Sequence, residues 1–354
     1  ETIDDALEQC NYLAEAIPEY SLKIFSIAYR GFFPVIILFG IILNGLCIVV
    51  VSRRKIRLNP FSMYVKFGAL VDVISFLIMI PIIKSHLCSP DSYSMAFYKT
   101  YLGWTLVSYL RHLSYFSLLW ISYDRFLAIW FNQKFKETQN STVVHRRLVA
   151  TTLFALVIFL PGIVIGEVKC AAGLTDGTVY TEAQWLSIPG YKRRIDQLWF
   201  KMYRMTIALS MEGIPSLIQL ALSIGLIVGL IRKGRNIKSA GKRRRKSKLY
   251  VQTAVILCLN ATYILVSVPH TILTAISFSG NKCHASPRKE VWLMSLNVLT
   301  TMWYCVNVTS YAMLRDYRRE LFHTINNILL FCNCISKNTE SKRMTLSELS
   351  TSNN

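Results

Sequence analysis

Eight ionisable side chains interrupt otherwise apolar stretches of the chain: Lys66, Asp72, Arg111, His112, Asp124, Arg125, Glu212 and His270. A charge in such surroundings must be paired, hydrated or put to use, because burying it alone is costly. Residues 109–126, YLRHLSYFSLLWISYDRF, carry an arginine near each end. A helix advances about 1.5 Å and 100° per residue, which places Arg111 and Arg125 roughly 21 Å apart on nearly the same face. The planar guanidinium of Arg111 suits an acidic or carbonyl-rich ligand, or an ion pair with Glu212. Lys66 sits near the end of its apolar run and can reach water along its own stem. The six histidines are scattered and no HExxH is present, so a metal-dependent hydrolase has no ligand set here.

The elements that must position these groups are long and apolar. The chain has 354 residues, 53% of them hydrophobic, with 40 Lys+Arg against 20 Asp+Glu. The basic residues cluster between apolar runs rather than spreading over a folded surface, which argues against nucleic acid and for a membrane protein with basic cytoplasmic loops. About 20 apolar residues span a bilayer as helix, and seven such stretches are read at 31–52, 61–83, 100–131, 148–168, 206–231, 249–278 and 291–314. No second domain and no internal repeat is visible, and the paired broken helices of transporters are missing from the pattern.

The Lys/Arg bias orients the spans. SRRKIR, then KFK with HRR, then IRKGRNIKSAGKRRRKSK alternate onto one side, which is expected to be cytoplasmic. The chain should therefore be a multi-pass plasma-membrane protein with its N-terminus outside and its C-terminus inside. Residues 1–28 form an acidic extracellular segment, residues 29–331 the membrane domain and residues 332–354 a Ser/Thr-rich cytoplasmic tail. The N-terminal segment lacks the basic start of a signal peptide, and the missing initiator Met leads us to expect an absent or processed N-terminus. Cys10, Cys88, Cys170 and Cys283 fall on the oxidising side and could form two disulfides, with three pairings open. The sequons at Asn140, Asn260 and Asn307 lie in a cytoplasmic loop or within spans and should carry no glycan.

Asp124-Arg125-Phe126 closes the third of the seven spans and continues as Leu-Ala-Ile. Here the chain resembles the rhodopsin-like (class A) G-protein-coupled receptors, whose third helix ends in Asp/Glu-Arg-Tyr. Asn44 after Gly40, Asp72 in Gly68-Ala-Leu-Val-Asp, Ser114, and Asn307-Val-Thr-Ser-Tyr311 extend the resemblance through the bundle. It implies an all-α seven-transmembrane helix bundle without enzymatic activity. It also implies a G-protein switch of Asp124, Arg125, Phe126, Asn307 and Tyr311, and a sodium ion held by Asp72, Ser114 and Asn307. No other cofactor is expected. The segment after Asp316 is similar to the family's amphipathic eighth helix, and Cys332 and Cys334 then look like palmitoylation sites in contact with membrane lipid.

Departures from the family pattern affect both ends. Thr100 stands where the family has its third-helix cysteine, so the resemblance implies a Cys88–Cys170 bond, leaving Cys10 and Cys283 for a second. Ser267 replaces the sixth-helix tryptophan, Val308 the seventh-helix proline and Ser223 the fifth-helix tyrosine. RRRKSKLY opens span six without the acid that often restrains the third-helix arginine. These changes predict a weakly restrained switch with appreciable basal signalling.

The resemblance also places Arg111, His112, Glu212, His270, Asn297 and Thr301 around a ligand pocket in the outer half of the bundle. Val107 occupies the position of the amine receptors' aspartate, which argues against a small biogenic amine. A peptide ligand is expected, and the chain is loosely similar to invertebrate receptors for FMRFamide-like peptides and related chemoreceptors. A chemosensory receptor for a small molecule is the alternative, ahead of a seven-helix channel or transporter. A heterotrimeric G protein is the expected partner, with a receptor kinase and arrestin acting on the tail.

Overall fold

In the computed structural model the described residues are 23–24, 26–53, 60–87, 93–138, 140–165, 167–171, 174–175, 178–179, 184–188, 198–235, 243–279, 287–315, 317–327 and 330. Seven long helices organise them. They are α1 (Phe33–Ser52), α2 (Pro60–Leu87), α3 (Trp104–Trp130), α4 (Ser141–Ile165), α5 (Leu198–Ile207 and Ile214–Arg235, joined by a π-helical turn Ala208–Gly213), α6 (Arg243–Ser279) and α7 (Pro287–Ser310). Consecutive contacts run α1–α2, α2–α3, α3–α4, α3–α5, α5–α6, α6–α7 and α7–α1, with α3 also touching α6. The ring is thus closed, and α3 runs through its interior.

Five of the helices are long and apolar enough to cross a membrane, at Ala28–Ser52, Pro60–Lys84, Ser141–Pro161, Met205–Arg232 and Tyr250–Leu273. The two left over are α3 and α7. On α1 the exposed face (Val35, Leu38, Phe39, Ile42, Val49) is as oily as the buried one, whereas Asn44, Asp72, Ser114, Asn260 and Asn307 all point inward. Polar inside with apolar outside suits a chain whose solvent is lipid, where helices satisfy their own backbone.

Several boundaries depart from the sequence reading for identifiable reasons. α4 begins at Ser141, seven residues before the expected 148, because Asn140 caps it: the Thr142 amide donates to Asn140 Oδ1 at 3.1 Å. His145, Arg146 and Arg147 are therefore helical rather than loop. Pro215 is accommodated by the π turn just before it, which opens the ladder where the proline ring would meet the preceding carbonyl. Residues 317–327 are helical, as expected of an eighth helix, and follow a 3₁₀ turn, Tyr311–Met313.

The connector between α4 and α5 holds two antiparallel pairs, which the all-α reading did not anticipate. β1 (Glu167–Ala171) pairs with β4 (Gln184–Ile188), setting Cys170 opposite Trp185, and encloses β2 (Leu174–Thr175) paired with β3 (Thr178–Val179). Cys47, Cys258 and Cys305 are free thiols. Cys10, Cys88, Cys283, Cys332 and Cys334, like the Cys170 side chain, lie outside the described residues, as do the N-terminal segment up to residue 22 and the tail from residue 331.

Candidate functional site

Four polar layers cross the bundle. The first lies between α3, α5 and α6. Glu212, inside the π turn of α5, directs Oε1 to His112 Nε2 at 3.6 Å and Oε2 to His270 Nδ1 at 3.9 Å. Thr271 Oγ1 donates to Oε2 at 2.6 Å. His112 Nδ1 sits 2.6 Å from the carbonyl of Ser108, which can only accept, so this nitrogen carries a hydrogen and Nε2 is aimed at the carboxylate. Three helices thus converge on one carboxylate, next to the only break in α-helical geometry in α5.

The ion pair considered between Arg111 and Glu212 does not form, which corrects the sequence reading. His112 and His270 take the carboxylate, and Arg111 points to the other side of α3. There its Nη2 donates to Thr301 Oγ1 at 2.8 Å and approaches Met79 Sδ at 3.1 Å, while the guanidinium lies 5.6 Å from the Tyr304 ring. The cause is helical: neighbouring residues face directions about 100° apart, and with His112 turned to Glu212 the Arg111 side chain faces α2 and α7. Thr301 is fully buried and occupied by Arg111, and its own hydroxyl lies 2.7 Å from the carbonyl of Asn297. Both α7 residues of the expected ligand set therefore belong to the Arg111 side of the bundle.

Between these groups lies an aromatic floor that the motif comparison missed. Tyr115 of α3 stacks on Tyr263 of α6 with centroids 3.9 Å apart, Tyr263 meets Trp303 of α7 edge-on at 5.0 Å, and Trp303 meets Tyr304. Ser267 stands where the tryptophan was expected, and Tyr263, one turn along α6, supplies the ring instead. A scan for aromatic residues one helical turn to either side of Ser267 would have found it.

The second layer holds the expected sodium contacts. Asp72 is 1% exposed with the Ser114 hydroxyl beside its carboxylate, and Asn307 Oδ1 and Asn44 Oδ1 lack a hydrogen-bond partner among the described residues. Buried oxygens left without donors are uncommon and call for an explanation. Asn44 Nδ2 donates to the carbonyls of Gly40 and Tyr304, which ties α1 to α7 beside this layer. Gly68 lets α2 approach, since a side chain there would begin 2.8 Å from Ser117 Oγ.

The third layer was not legible from the motifs. Gln219 Nε2 donates to Ser122 Oγ at 3.0 Å, Ser122 Oγ reaches Asn260 Oδ1 at 3.2 Å, and Asn260 Nδ2 donates to Ser223 Oγ at 3.0 Å. All four residues are buried, and together they tie α3, α5 and α6 into one uncharged knot. Its sequence signal was an amide or hydroxyl on the inner face of each helix, read separately as a sequon at Asn260 and a substitution at Ser223.

The fourth layer is the Asp124-Arg125-Phe126 end. Asp124 does not lean on Arg125: Arg147 of α4 donates to Asp124 Oδ1 at 2.7 Å and to Tyr64 Oη at 3.0 Å. Arg125 is buried with its guanidinium 5.2 Å from the Phe61 ring, and Phe61 meets Tyr311 edge-on at 5.9 Å. Phe126 packs onto Gly225 of α5, where a Cβ would lie 2.7 Å from the ring.

A bundle of seven helices, apolar outside and layered with polar groups inside, defines a multi-pass membrane protein. The sequence model described as serpentine type 7TM GPCR chemoreceptor Srw matches residues 32–325, and the chain belongs to that family. It is thus a G-protein-coupled receptor, with an extracellular ligand and a G protein as its partners. No curated protein matches the sequence.

Proposed function

We propose that this receptor is chemosensory and that its ligand engages the Glu212–His112–His270 layer; what supports the reading is that α3 and α6 both direct a histidine to one α5 carboxylate. A ligand that exchanges partners with Glu212 changes how α3, α5 and α6 are held to one another. A ligand shifts a conformational equilibrium only through such differential contacts. The Tyr115–Tyr263 stack and the buried amide knot lie along the same three helices, between this layer and Arg125. Arg125, Asn307 and Tyr311 then act on the cytoplasmic side, where the basic connectors belong under the positive-inside rule.

The family description favours a chemosensory ligand over the neuropeptide expected from the sequence. The rhodopsin-like pattern of Asn44, Asp72, Asp124-Arg125 and Asn307 supports a switch of the class A kind. Sodium fits the second layer: Asp72, Ser114 and Asn307 bring buried oxygen atoms together, the ligand type a hard cation takes. When bound, the ion supplies the positive charge that Asp72 otherwise draws only from Arg111 nearby. The receptor kinase, arrestin, palmitoylation and both disulfides belong to this reading; the tail and the cysteine side chains concerned lie outside the described residues.

The test is a screen of small-molecule and peptide libraries, run separately, in cells expressing the receptor with promiscuous G proteins. Glu212→Gln keeps the shape and removes the charge, and is expected to raise the half-maximal ligand concentration about tenfold or more, within the usual range of site coupling. Unchanged potency at normal surface expression would remove Glu212 from the ligand site.

A further inference from the structure

Asp124 and Arg125 are adjacent in sequence, so on a helix their side chains leave the axis about 100° apart and meet only when the long Arg125 side chain swings back toward Asp124. What Asp124 does face is Arg147. The contact is short at 2.7 Å, and the two side chains are only 7% and 14% exposed. The Arg147 guanidinium lies 4.9 Å from the Trp120 ring and 5.5 Å from the Tyr123 ring, both on α3, and shares its Nη1 with Tyr64 Oη of α2. Trp120 is fixed in turn, its Nε1 donating to Thr151 Oγ1 one turn beyond Arg147 on α4. Three helices therefore build a cage around one guanidinium, and this geometry suits arginine, whose planar fork can stack and donate at once.

Arg125 has the complementary surroundings. Among the described residues it makes no ion pair, and its guanidinium rests over Phe61. We infer that Arg147 is a positioning residue of the switch: by occupying Asp124 it keeps Arg125 disengaged and available to the G protein. Without Arg147, Asp124 is a buried anion in want of a cation, and Arg125 is the neighbour whose charge already acts on it. Capture of Arg125 by Asp124 would then withdraw it from the partner. Arg147 lies in the second turn of α4, which Asn140 caps.

This inference rests on the reading of Arg125 as a G-protein contact, and its test keeps the two apart. Full-length receptor in lipid nanodiscs, without ligand, is assayed by biolayer interferometry for binding of nucleotide-free heterotrimeric G protein of each Gα class, with thermal stability measured in parallel. Arg147→Ala is expected to weaken binding about fivefold or more, the lower range of conformational coupling. Adding Asp124→Asn should restore affinity to within about twofold of wild type, because no carboxylate remains to capture Arg125. Arg147→Lys should fall between, keeping the charge but losing the stack. A merely structural Arg147 would lower thermal stability in both the single and the double variant and leave affinity per folded receptor unchanged. Wild-type affinity in Arg147→Ala, a double variant no better than the single one, or a wild type that binds none of the G proteins overturns the proposal. Arg125→Ala separates the premises: wild-type binding there removes the underlying reading of Arg125, whereas loss there with no effect of Arg147→Ala removes only the role of Arg147.

Discussion

Replacing Asn260 with Leu tests whether the amide knot holds α6 in place. The substitution conserves approximate volume but removes both bonds that α6 makes in the knot, one with Ser122 of α3 at 3.2 Å and one with Ser223 of α5 at 3.0 Å. The serine hydroxyls do not become orphans, because Ser122 keeps the Leu118 carbonyl and Ser223 the Gln219 carbonyl. The change is thus confined to the tie between helices. Interhelical hydrogen bonds in membrane proteins average about 0.6 kcal/mol, so two amount to about 1.2 kcal/mol. Any packing in which α6 leaves α3 and α5 gives up both bonds in the wild type and neither in the variant. That difference shifts the equilibrium toward the separated packing about sevenfold, since about 1.4 kcal/mol corresponds to tenfold. Ligand-free second-messenger output, normalised to surface receptor, is expected to rise by up to that factor. Output equal to or below wild type at matched surface density would refute the argument, as it would show that the bonds persist through activation or that α6 does not separate there.

Two further outcomes follow from the interior layers. Arg111→Ala, which the sequence alone would have aimed at ligand potency, should instead lower thermal stability in detergent and spare potency. It removes a charged donor from the buried Thr301 hydroxyl, a type of bond that contributes about 1.5–3 kcal/mol, and Thr301→Val should reproduce part of the loss. A loss of ligand potency at wild-type stability would return Arg111 to the ligand site. Asp72→Asn should abolish any rise in melting temperature on replacing choline with sodium at constant ionic strength; a sodium effect of equal size in the variant would place the ion elsewhere.

The membrane class and helix count could be read from the chain because both depend on properties local in sequence: runs of apolar residues and the charges between them. The inward placement of Asp72, Ser114 and Asn307 was implied by the family resemblance, and it agrees with the cost of exposing polar groups to lipid. Partnership was not implied. Which of two adjacent side chains, Arg111 or His112, meets Glu212 depends on the rotation of α3 against α5, and the π turn Ala208–Gly213 sets where Glu212 points. Asp124 takes Arg147 rather than Arg125 because α4 packs against α3 and brings the Arg147 guanidinium to the carboxylate. The knot of Ser122, Gln219, Ser223 and Asn260 draws on three helices, with up to 138 residues between bonded partners. Such contacts are decided by how helices are rotated and spaced in the bundle. Periodicity along a single helix says which side chains face inward, and only packing says what they meet there.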